Sequence, residues 1–349
     1  MKKISLVAIA TFSILSSCKK NETMTMEKNI TYPAAYVVNG ESSTISVINL
    51  NTNTVTDSFE LMNGSSMIMY PHHIYHHQSS TMHHLAVGVP GMDLSAGHTG
   101  GMAGMKGAVL LIDAVKGTII KNIELPTMNH NAIYSTDGTE IWTTQMKDAG
   151  IVLIYDATSF VLKDSIKVGE EPAEVTFSSD GTKAYVCNGK SNTVSIINPI
   201  TKAIISTVNV GTNPVGAWQS SINKMFVDNE DDGSISVIDV VSNINLATIN
   251  LGFKPGYAAF NSSVNELWVS DATNGKIVYY KDMGSNSWMK HGEFVSGSGA
   301  HAIAFTNDGS TAYVTNQGAN TVSVFKVSTH SKFKDLIVGK KPNGIVLKY

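Results

Sequence analysis

Six of the chain's 11 histidines fall between Pro71 and His84, namely His72, His73, His76, His77, His83 and His84. Imidazole is the commonest nitrogen donor to zinc, copper, nickel and iron, so metal binding is the first chemistry such a tract suggests. A surface hairpin that binds metal only adventitiously has the same composition, so the tract by itself does not separate the two. A glycine-rich stretch, Gly88–Met105, follows and adds Met92, His98, Met102 and Met105. Thioether and imidazole together favour copper, because soft sulfur selects Cu(I) and nitrogen serves either oxidation state. Three imidazoles with an open fourth position would suit zinc instead. The sequence carries no Gly-x-Ser-x-Gly elbow, phosphate-binding glycine loop or Cys-x-x-Cys-His haem attachment, and no catalytic residue is assigned.

Composition narrows the partners. Charged residues make up 15% of the 349, the net charge is −3, and there is no arginine at all. Arginine supplies the planar fork that grips phosphate and carboxylate in two places. Nucleic acid and phosphorylated substrates are therefore poor candidates, and no basic stripe argues otherwise.

What could position the histidines is a repeat. Ala35-Tyr36-Val37-Val38-Asn39, Ala184-Tyr185-Val186-Cys187-Asn188 and Ala312-Tyr313-Val314-Thr315-Asn316 are close copies, each followed by a polar turn and an alternating apolar strand. Looser copies start at Ile141, Met225 and Leu267, and the most divergent at Leu85. Asp137-Gly138, Asp180-Gly181 and Asp308-Gly309 supply tight hairpins ahead of three copies. A period of about 40–45 residues carrying four short strands is that of one propeller blade. These copies resemble the YVTN repeats of bacterial and archaeal surface-layer propellers and similar extracytoplasmic proteins. The resemblance covers the chain from about Tyr32 to Tyr349 and implies an all-β, seven-bladed propeller. Seven inner strands are expected to begin near Pro71, Asn129, Pro172, Pro214, Pro255, Ala300 and Pro342. The last has no strands after it and the first copy has no inner strand before it, so the C-terminal strand is expected to complete the N-terminal blade and close the ring.

In that register the residue after the proline position is His72, His130, Ala173, Val215, Gly256, His301 and Asn343. Blades seven, one, two and three are neighbours around the ring, so His301, Asn343, His72 and His130 form one arc at the channel mouth. His73 adjoins it. The Gly88–Met105 insert joins the second and third strands of blade two and lies on the same face, where Met128 can also contribute. Glu170 and Glu171 precede Pro172 near the mouth and are candidates for orienting a ligand histidine. The acidic run Asp228–Gly233 lacks the spacing of an EF-hand loop and reads as a solvated turn. Nitrous oxide reductases place a histidine-ligated copper cluster at the channel end of a seven-bladed propeller. The chain is similar in where its histidines fall and departs in having no downstream cupredoxin domain.

At the N-terminus, Lys2 and Lys3 precede an apolar run from Ile4 to Leu15, shorter than the roughly 20 residues a membrane span needs. The run ends at Leu15-Ser16-Ser17-Cys18, which resembles the lipobox of bacterial lipoproteins and implies lipidation of Cys18. Residues 1–18 are then a signal peptide, 19–32 a flexible tether, and 33–349 the propeller. With Cys18 acylated, Cys187 has no intramolecular partner and reads as a small buried hydrophobe. The expectation is an exported monomer, lipid-anchored to a bacterial membrane and facing periplasm or cell surface. It is a binding module with a His/Met copper-like site and a redox or cell-surface protein partner. A metal-free protein or glycan scaffold and a metal-dependent hydrolase are the alternatives.

Overall fold

The computed structural model describes residues 27–64, 66–79, 82–94 and 104–349. Seven four-stranded antiparallel sheets follow one another along the chain. Among the described residues the one helical turn is the 3-10 turn Val327–Thr329. The ring closes as the repeat requires. The C-terminal strand Pro342–Lys348 pairs with Ala34–Asn39, setting Tyr36 opposite Val346 and Val37 opposite Ile345. Blade one therefore takes its inner strand from one end of the chain and its other three from the opposite end.

The repeated pentad forms the second strand of its blade. Ala34–Asn39 and Ala184–Asn188 are buried along their whole length, because both faces pack against neighbouring blades. Fourth strands such as Leu162–Lys167 lie outermost and bury little more than one side chain, here Ile166. The asparagine that ends each close copy is a clamp. Asn188 Nδ2 donates to Thr193 Oγ1 at 3.1 Å and Ser195 Oγ at 3.0 Å, across the turn to the third strand. Asn39, Asn229 and Asn316 make the same pair of bonds in their own blades. The repeat's tyrosines bridge adjacent blades: Tyr36 donates to the carbonyl of Ala114, and Tyr313 to Asn53. At the Asp-Gly hairpins the glycines adopt the expected positive φ, 72° at Gly138 and 69° at Gly181.

Replacing Asn188 by alanine is expected to cost about 1–3 kcal/mol, since it strands the buried Ser195 hydroxyl and the half-buried Thr193 hydroxyl rather than deleting a solvated contact. A denaturant midpoint unchanged within error would refute the clamp.

Candidate metal centre

Blades two and three depart from the expected strand starts, and the departure carries the site. Their inner strands begin at Ile74 and Ala132, three residues later than the repeat suggests. The residues passed over hold the histidines. His72, His73 and His130 are 3%, 5% and 1% exposed, so they plug the channel rather than decorate its rim. The chain around them stays tied to the blade: His72 N donates to Gly88 O at 2.8 Å, and Gly88 N to His73 O at 3.2 Å.

One ligand atom from each of His72, His73 and His130 lies within 4.8 Å of the other two. The ring centroids are 4.4 Å apart for His72–His73, 4.6 Å for His72–His130 and 4.9 Å for His73–His130. His301 flanks the group, with its ring 6.2 Å from His72 and 5.8 Å from His73, and is half-buried. Asn343 closes the arc from blade one and donates to the carbonyl of Pro71 at 3.3 Å. The arc drawn from the repeat register is thus present in space.

Behind the imidazoles stands Glu174, fully buried. One of its oxygens, Oε1, lies 3.1 Å from His130 Nδ1 and 3.5 Å from His73 Nδ1. The other accepts from the Tyr75 hydroxyl at 3.4 Å. In the tautomer that donates Nδ1–H to Glu174, the Nε2 of each ring carries the lone pair a metal takes, the carboxylate–histidine–metal arrangement of many sites. Burial pushes the Glu174 carboxyl well above its ordinary range, and the charge of nearby Asp228 adds to this. A cation among the imidazoles would bring a counter-charge to this buried acid. The donor set therefore fits a transition ion: three imidazoles in front and, behind, a carboxyl group placed to orient two of them.

Other expected residues fall elsewhere. Met92 and Met105 pack with Leu94, Met128 and Met146 in a small apolar cluster. Met92, Asp93 and Leu94 also line a narrow cleft with His72 and Asn343, and Asp93 pairs with Lys341, so this part of the insert lies beside His72. His98, Met102 and Cys18 lie outside the described residues. Glu170 is exposed and sits 3.9 Å from Lys190; the carboxyl group that meets the histidines is that of Glu174 instead. The acidic run is only partly solvated. Asp228 is buried, accepts from Trp218 Nε1 at 2.7 Å and Gly216 N at 3.0 Å, and is raised by burial to about 7. Cys187 is buried and free, as read from the sequence.

The model of the choice-of-anchor I domain family matches residues 140–339, more than half of the chain. No curated protein matches it. Among solved structures, a functionally unknown protein from Desulfotomaculum acetoxidans is similar at a TM-score of 0.70 and 13% identity, over 90% of this chain and 99% of that one. The periplasmic gluconolactonase of Pseudomonas aeruginosa is similar at 0.69 and 15% identity, over 91% and 99%. Hydrazine synthase of Kuenenia stuttgartiensis is similar at 0.64 and 13%, over 78% and 88%. At such identities the likeness is one of fold alone.

Proposed function

The chain belongs to the choice-of-anchor I domain family, and we propose that it is an extracytoplasmic propeller binding a transition metal through His72, His73 and His130. The observation that carries this is the convergence of three buried imidazoles, one ligand atom of each within 4.8 Å of the others, with Glu174 placed to orient two of them. His301 is the adjacent fourth imidazole. Copper is the ion we favour, because Met92 borders the same narrow cleft as His72 and thioethers bias an imidazole site towards copper. The near-complete burial of the three rings favours holding an ion over turning over a bulky substrate there.

The resemblance to YVTN propellers and the lipobox at Leu15–Cys18 support the rest of the reading. Cys18 carries the lipid and the residues after it form the tether, which is shorter than the expected 19–32 because Ile30 is already buried in the core and bonded through its N–H to the carbonyl of Val115; a monomeric propeller faces periplasm or cell surface, where a redox or surface protein meets it. The test is to incubate the purified chain with equimolar Cu(II) and Zn(II), desalt it and measure metal by mass spectrometry. Near-stoichiometric copper is expected. Zinc in its place would keep the site and overturn the metal. Loss of both from folded protein would leave a metal-free interaction scaffold, and metal-dependent ester or lactone hydrolysis would favour the hydrolase.

A further inference from the structure

The opposite mouth of the channel holds a cavity of about 640 Å³ that the metal reading does not use. Its volume lies within the roughly 300–1,000 Å³ typical of small-molecule sites. Trp218 and Tyr257, with ring centroids 3.7 Å apart, form its inner wall and separate it from the histidines. Each of these two rings is 5.9 Å from that of His73. Phe260 and Phe305 add two further aromatic faces, both half-buried.

The polar part of the lining has a pattern. Four consecutive blades, two to five, each present one exposed uncharged side chain where their inner strand ends: Gln78, Thr136, Ser179 and Gln219. Among the described residues that line the cavity there is no lysine, aspartate or glutamate. Its histidines, His76 and His77, are both lowered by burial, His76 to about 4, which leaves them neutral at pH 7. A charged ligand entering here would shed water without gaining a counter-ion, which is costly. A ligand with flat apolar faces and a hydroxyl-rich edge would find partners for both.

We propose that this cavity binds a neutral saccharide of about disaccharide size, its ring faces on Trp218, Tyr257 and Phe260 and its hydroxyls on the ring of Gln78, Thr136, Ser179 and Gln219. The site is independent of the metal centre. Calorimetric titration of the purified chain, metal-free and copper-loaded, with cellobiose, maltose, glucuronate and glucosamine tests it. Saturable binding of a neutral disaccharide is expected in both metal states, with the two charged sugars weaker by about tenfold or more. A Gln78→Ala/Gln219→Ala variant, altered only at exposed positions, should lose about tenfold in affinity. Three results would overturn the proposal: no saturation by either disaccharide up to about 50 mM, charged sugars binding as tightly, or binding that ignores the double substitution. Failure to retain copper would leave this titration readable, so the two readings fall separately.

Discussion

A chain carrying His72→Ala and His130→Ala together is expected to retain no metal after desalting while keeping its sheet signature by circular dichroism. Removing two of three converging imidazoles leaves at most His73 and His301, whose rings lie 5.8 Å apart on different blades. Fully liganded structural sites bind metal with about 10–16 kcal/mol, or roughly 3 kcal/mol per ligand. Two lost ligands should therefore weaken binding by about 10⁴-fold. The fold should survive because the blade pairing, the asparagine clamps and the closing strand lie outside the substituted side chains. The sharper readout is linkage. An ion that binds only the folded chain stabilises it by RT ln(1 + [L]/Kd), about 4 kcal/mol at a thousandfold excess over Kd. Copper should raise the unfolding midpoint of the parent chain and leave that of the double variant where it was. A double variant that still gains stability from copper would place the ion elsewhere on the propeller.

Most of this architecture is written in the repeat. An asparagine at the end of the second strand and two hydroxyls in the third, Thr-x-Ser in three blades and Ser-x-Ser in one, make the same two bonds in four blades, so the pattern is chemical as well as statistical. The arc of His301, Asn343, His72 and His130 was legible for the same reason: equal positions in the repeat become neighbours at the channel mouth. The strand starts of blades two and three lie later than the repeat suggests because a repeat fixes position but not hydrogen bonding: the histidine segment of blade two pairs irregularly through Gly88, and in blade three regular pairing starts only at Ala132. Glu174 escaped notice although its signal was present. It is an acid in the middle of Pro172–Phe177, a strand buried at every residue, where an unpartnered carboxylate would be untenable. Glu170 and Glu171 stand next to the proline in sequence, yet the carboxyl group that meets His73 and His130 belongs to Glu174, inside the strand. Asp228 was misread in the same way, as part of a turn. It stands at the fourth position of its pentad, which faces inward.

That fourth position also yields the most discriminating substitution, Gly88→Ala, which should weaken metal binding with every ligand still in place. The other pentads hold Val38, Thr144, Cys187, Asp228, Ser270 and Thr315 there; blade two alone has glycine. The reason is distance. A Cβ on Gly88 would lie 2.5 Å from the carbonyl oxygen of His130 and 2.6 Å from Cα of Asn131, closer than real Cβ atoms come. Both contacts are to backbone, so no side chain can swing aside to relieve them. Within its own blade Gly88 is bonded to His72 and His73. The absent side chain is thus what lets blade three bring His130 up to the pair from blade two. Inserting one methyl must separate the two groups by about half an ångström or cost about 1–3 kcal/mol in overpacking. A metal site tolerates little of that, since bond lengths hold to within about 0.2 Å and productive geometry to within about 0.5 Å. The expected result is a loss of about 10- to 100-fold in copper affinity, measured by competition with a chelator, with a smaller fall in stability. If Gly88→Ala binds copper as tightly as the parent chain, the close approach of His130 to His72 and His73 is not what holds the ion.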